Sequence, residues 1–220
     1  MFNPRVGHFS IDGNAADDAP HLVIGNTATT TLAGMLRVGY IGPGFLTMES
    51  GGVVTNTTGH ISSASGSTAV ATVTGTGSEW NKSRSLYVGE NGGTGTLNVT
   101  GGGVVSNTTG YIGDDSGSTG VATVTGPGSQ WNNSSNLYVG SSGTGTLNVA
   151  DGGVVSNTYG FIGKSTGSTG VATVTGTGSE WNNSSDLHVG NSGDGILNIA
   201  DDGVVTVGGA TSIGTSGTAI

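Results

Sequence analysis

Gly145-Thr-Leu-Asn-Val-Ala-Asp-Gly-Gly-Val-Val-Ser-Asn157 lies without a gap over Gly120-Val-Ala-Thr-Val-Thr-Gly-Pro-Gly-Ser-Gln-Trp-Asn132. Both stretches run from an alternating apolar segment through a glycine-rich corner into a second short segment. The pair is itself repeated. Trp80, Trp131 and Trp181 stand in Gly77-Ser-Glu-Trp-Asn81, Gly128-Ser-Gln-Trp-Asn-Asn133 and Gly178-Ser-Glu-Trp-Asn-Asn183, about fifty residues apart. Each long unit therefore holds two coils. Full coils run roughly 35–59, 60–85, 86–110, 111–136, 137–160, 161–186 and 187–210, with a period of about 24 to 26 residues that suits a parallel β-helix. A partial coil starts near His21, and another breaks off after Thr211-Ser-Ile-Gly214.

Within the 137–160 coil, Leu137-Tyr-Val139, Thr146-Leu-Asn-Val-Ala150 and Val154-Val-Ser156 are separated by Gly, Ser, Asn and Asp. Runs this short, β-branched and bounded by turn formers, make the faces of a prism and not helices. The pairs Gly51-Gly52, Gly102-Gly103 and Gly152-Gly153 are expected to supply the positive φ that corners need. Alternation on the middle run points Leu97 and Val99, Ala122 and Val124, Leu147 and Val149, Ala172 and Val174, and Leu197 and Ile199 inward. Their leading positions alternate Leu and Ala, so large stacks on small toward close packing.

In the gap-free alignment Trp131 meets Ser156 and Ser106, so each indole is expected to turn inward into room left by serine. An exposed tryptophan column is the alternative, but every second coil would interrupt it. The predicted fold is all-β: a single-stranded parallel β-helix with three short strands per coil. Residues 1–35 are expected to form an N-terminal cap segment with a partial coil and a turn at Asp17-Asp-Ala-Pro20. Residues 36–220 are expected to be the repeats, cut off mid-coil, about seven complete coils and roughly 35 Å long.

Composition excludes several classes. The chain has 45 Gly and only 9% charged residues, yet it is rich in Val, Thr and Ile set in register, which separates it from disordered chains. Its net charge is −9, and its only lysines and arginines are Arg5, Arg37, Lys82, Arg84 and Lys164. No basic face for nucleic acid or an anionic membrane can be assembled from them. The absence of Cys removes disulfides and thiolate chemistry. No apolar run is long enough to insert into a membrane, and Met1-Phe-Asn-Pro-Arg5 lacks the apolar core of a signal peptide.

The candidate binding residues form one outward column on the first strand: His60, Tyr87, Tyr111, Tyr138, Phe161 and His188. Exposed aromatics mark binding surfaces, here for sugar rings or a protein partner. The competing reading, which weighs more, is a stack of rings that shields a corner. A second outward column, Asn98, Thr123, Asn148, Thr173 and Asn198, breaks the regular Thr grid that ice binding would need. Asn132-Asn133 and Asn182-Asn183 are expected to form corner ladders. Asn56-Thr-Thr and Asn107-Thr-Thr match the glycosylation pattern, as chance allows in so Thr-rich a chain.

No catalytic residue, cofactor or metal site is expected. The acids Asp114-Asp115, Asp151, Asp186, Asp194 and Asp201-Asp202 sit at turns and form no column across three coils. Solvated turn acids of this kind keep a repeat protein soluble. The calcium-binding nonapeptide is absent, and His8, His21, His60 and His188 have no ligand spacing.

The phrases Gly-x-Gly-Ser-x-Trp-Asn-Asn-Ser-Ser, Leu-Tyr-Val-Gly (86–89, 137–140) and Gly-x-Leu-Asn-Val/Ile with Gly-Gly-Val-Val closely resemble the repeat of bacterial autotransporter passengers and PEP-CTERM surface proteins. The likeness spans roughly residues 36–210. It implies a right-handed β-helix displayed outside the cell as a stalk or adhesin, and it supplies no catalytic residues. The expected function is a non-enzymatic structural or adhesive module whose partners are a surface glycan, a host protein or a further copy stacked end to end. A carbohydrate-binding or polysaccharide-cleaving β-helix is the alternative.

Overall fold

The computed structural model describes residues 8–13 and 19–220; the expected turn at Asp17-Asp18 and the arginine at position 5 lie outside them. The described chain is all-β, with three parallel sheets winding through about eight turns of roughly 25 residues. Among the described residues two sheets have nine strands and the third has eight. One coil shows the plan: Leu137–Val139 in the first sheet, Thr144–Ala150 in the second and Val154–Asn157 in the third. The sheets begin upstream of residue 36, because His8–Ile11, His21–Ile24 and Thr29–Thr31 already pair with the following coil.

Parallel pairing without shift places like positions in files. In the second sheet Leu46, Ala71, Leu97, Ala122, Leu147, Ala172 and Leu197 pair in succession, all buried. The expected alternation of large and small is therefore present along this file.

The third sheet departs from the gap-free alignment. Trp131 pairs with Val105 and Val155, not with serine, and Trp80 and Trp181 likewise lie between valines. The cause is the preceding corner. Thr125 pairs with Ala150 but Gln130 with Val154, so the Gly126–Ser129 corner is one residue longer than its neighbour and every later position shifts by one. Ser129 fills the extra position: its hydroxyl donates to the Thr125 carbonyl (2.8 Å) and accepts the Gly102 N–H (3.0 Å). Ser78 and Ser179 accept from Gly51 and Gly152 in the same way (3.1 Å each). The Gly-Ser step before each Trp is thus a fastening between coils.

The indoles do point inward, and each is fully buried. The space they use comes from the first sheet, where Gly59, Leu86, Gly110, Leu137, Gly160 and Leu187 pair in succession. A Cβ on Gly110 would sit 2.9 Å from Cζ2 of Trp131, in its own coil, and 2.8 Å from Cδ1 of Leu137 in the next. Each tryptophan therefore spans the interior to the glycine opposite it.

The glycine pairs divide their work. Gly51, Gly102 and Gly152 have φ between 79° and 89°, whereas Gly52, Gly103 and Gly153 do not adopt positive φ. The second glycine is needed because a Cβ there would run into the backbone of the preceding coil, at the Val124 carbonyl in the case of Gly153.

Candidate functional site

The first-sheet column is continuous. His60, Tyr87, Tyr111, Tyr138, Phe161 and His188 pair strand by strand. Their rings stack at centroid separations of 4.8–5.1 Å with interplanar angles of 4–17°. That separation is the strand spacing itself, so the pairing of the backbone sets the ring stack. The geometry limits what the column can do. Each interior ring has neighbours on both faces, so it turns an edge or a hydroxyl outward, and a sugar could lie flat only on an end ring.

Neighbours cover parts of the file. Tyr138 is buried: its hydroxyl accepts from Asn136 Nδ2 (2.8 Å), and Lys164 Nζ lies 4.3 Å from its ring centroid. Burial, reinforced by the Tyr87 and Tyr138 hydroxyls on either side, pushes the Tyr111 phenol up to about 12. Burial also raises Tyr87. Lys164 sits against the rings of Tyr138 and Phe161, and its charge also favours the Asp114 carboxylate.

Beside the file, carboxylate oxygens of Glu90, Asp114 and Asp115 come within 4.8 Å of one another, a grouping able to hold a cation. Part of its capacity is spent internally. Glu90 Oε2 lies 2.8 Å from His60 Nδ1, and Asp115 Oδ2 accepts the Asn91 N–H (3.1 Å). Burial raises the Asp114 carboxyl, with the neighbouring acids adding to the shift against a hydrogen bond from Ser141 that lowers it. The sequence separates Glu90 from Asp114 by a whole coil; stacking brings them together.

The asparagines of the third sheet are structural. Trp131 Nε1 donates to Asn107 Oδ1 (2.7 Å), and Asn107 Nδ2 donates to Asn133 Oδ1 (2.6 Å). Trp181, Asn157 and Asn183 repeat the relay at 2.6 and 2.6 Å. A buried indole N–H needs an acceptor and a buried amide needs its own partners, so these groups satisfy each other across coils. Asn56 and Asn107, the residues of the two glycosylation matches, are 3% exposed, and each accepts an indole N–H. The expected corner ladder is replaced by an interior one for Asn133 and Asn183. Asn132 stays outside and accepts from Ser156 Oγ (2.9 Å).

Lys82 breaks this pattern. It occupies the position of Asn133 and Asn183, is 6% exposed, and donates to the Trp80 carbonyl (3.0 Å) with its ammonium 4.0 Å from the Trp80 ring centroid. Burial holds its pKa well below the usual lysine range.

A cleft of about 420 Å³ opens at the N-terminal end of the ring file, lined by Arg37, Tyr40, His60, Ser63, Glu90 and Asn91. Arg37 is the file member before His60. The aromatic column marked this surface, but nothing in the sequence marked Arg37 or Ser63 as neighbours of Glu90.

No protein-family model matches the chain, and no curated protein matches it. Among solved structures it is similar to the TibC-catalyzed hyper-glycosylated TibA55-350 fragment, at 20% identity and a TM-score of 0.22, over 96% of this chain and 94% of that one. At that score the likeness carries no argument about function.

Proposed function

We propose that this chain is a rigid β-solenoid segment of a bacterial surface protein, a stalk or adhesin passenger that acts outside the cell without catalysis of its own. The observation that carries the reading is the use of its recurring side chains. The Trp, Asn and corner Ser residues that define the repeat are consumed in holding coil to coil. Residues invested in axial continuity make a stiff spacer, since in a solenoid each coil is stabilised by its neighbours. The resemblance of the repeat phrases to autotransporter passengers and PEP-CTERM proteins supports the surface location. Among the described residues no helix is long and apolar enough to cross a membrane.

End-to-end assembly is part of the proposal. By register Ile199 and Ile213 continue the inward files of Val174 and Val189, and a further copy stacked on the axis would extend those files by the parallel pairing that joins one coil to the next. Small-angle scattering is expected to show a rod, and electron microscopy of concentrated protein is expected to show filaments that Ile213→Lys shortens. Compact particles in scattering would overturn the stiff-spacer reading, and monomers at every concentration would remove the assembly. Cleavage of an acidic polysaccharide above background would overturn the non-catalytic one.

A further inference from the structure

We infer that the cleft at the N-terminal end of the ring file is a subsite for a sugar carboxylate, the acid group of a hexuronate or sialate. This deepens the adhesive half of the proposed function by naming the ligand chemistry. Arg37 makes no ion pair and no hydrogen bond through its side chain among the described residues, although the chain carries a net charge of −9. Its contact is the Tyr40 ring, 4.6 Å from the guanidinium carbon. The guanidinium Nε–H is buried and lacks an acceptor. Ser63, 6% exposed and lining the same cleft, has a buried hydroxyl without a partner.

Two buried polar groups without partners, on residues that line one cleft, are costly unless something else meets them. A guanidinium fork matches a planar carboxylate with two parallel hydrogen bonds, and a serine hydroxyl can add a third. The remaining lining suits the rest of a sugar. Glu90 and Asn91 can take hydroxyl groups, and Tyr40, 39% exposed, offers an apolar surface at the mouth. Glu90 with Asp114 beyond it disfavours a dianion such as a phosphate monoester, whereas a carboxylate brings a single charge. The volume falls in the range of small-molecule pockets. The site is also singular: further along the file, aromatic residues replace Arg37.

Isothermal titration of the full chain with tetragalacturonate and with sialyllactose tests the inference, with methyl-esterified tetragalacturonate, lactose and a lactose sulfate as controls. At least one carboxylate is expected to bind, and its neutral counterpart about tenfold more weakly or not at all. Which acid binds identifies the source. Arg37→Gln is expected to lose about tenfold or more, and Arg37→Lys, which keeps a charge and stem but not the fork, to fall between. Ser63→Ala is expected to lose a few-fold. Circular dichroism of each variant verifies the fold, and Arg37→Lys keeps the test valid should Arg37→Gln unfold. Absence of carboxylate binding, equal binding of neutral sugars, preference for the sulfate, or binding unchanged in Arg37→Gln would overturn the subsite. The rod expected in scattering does not depend on Arg37, so failure of the subsite and failure of the stiff-spacer reading are separate results.

Discussion

Coils with a tryptophan and coils without one fill the same three-sided interior differently. A tryptophan coil such as that of Trp131 offers Gly110, Ala122 and Trp131 to the core; the next offers Leu137, Leu147 and Val155. Glycine, alanine and tryptophan together carry as many side-chain non-hydrogen atoms as two leucines and a valine. Filling is thus conserved per coil while its distribution is reversed on each sheet, so large always lies over small along the axis. The unit of packing is the cross-section and not the strand, as expected where interiors approach crystal-like density.

Removing the tryptophan is the strongest way to break that equivalence. Trp131→Ala is expected to cost about 3–5 kcal/mol from the lost indole and its cavity. It also orphans the buried Asn107 oxygen. Urea unfolding should show a larger loss than for Leu147→Ala, and a smaller one would mean that the indole does not anchor its coil.

Converting one coil into the other sharpens the comparison. Gly110→Leu alone overpacks against Asn133, Leu137 and Trp131 and is expected to cost roughly 1–3 kcal/mol. Combined with Ala122→Leu and Trp131→Val it restores the filling of the coil, so the triple variant should lose less than the sum of its single changes. Additive losses would refute packing by cross-section.

Lys82 separates the first tryptophan coil from the later two. Because burial depresses its pKa, the unfolded chain binds a proton that the folded chain resists. Stability is then greatest above the ordinary lysine value and falls with decreasing pH toward the folded value, by at most about 1.4 kcal/mol per pH unit. Lys82→Asn is expected to raise the unfolding midpoint at neutral pH and flatten that dependence; an unchanged slope would assign it to another group.

The smallest effect belongs to the ring file, which runs through both kinds of coil. Tyr111→Ala should cost about 0.5–1.5 kcal/mol in stacking beyond lost burial. The raised Tyr111 phenol adds stability that is complete below about 10 and lost as pH rises through about 12. Tyrosinate absorbance followed against pH should show late-titrating groups, of which Tyr111→Phe removes one. On a glycan array, Tyr111→Ala with Tyr138→Ala should leave binding unchanged; lost binding with the fold intact would return the file to a recognition role.

The coil period, the three strands, the Leu–Ala file and the outward ring column were legible because each is a local alternation repeated at fixed spacing. The partners of the tryptophans were not. A corner longer by one residue at Ser129 shifts the pairing, and two sequences that align without a gap do not register it. The burial of Asn56 and Asn107 was not legible either, because it depends on an indole one coil away. The cleft was hidden for a similar reason, since Arg37, Ser63 and Glu90 are neighbours only after winding.

Periodicity along this chain was enough to determine a stacked all-β coil with inward and outward files, because side-chain alternation is a property of the backbone alone. Which residue lies above which, how a tryptophan is accommodated and where two polar groups are left without partners were decided by tertiary structure. Those outcomes depend on corner lengths and on contacts between coils, and no single coil contains them.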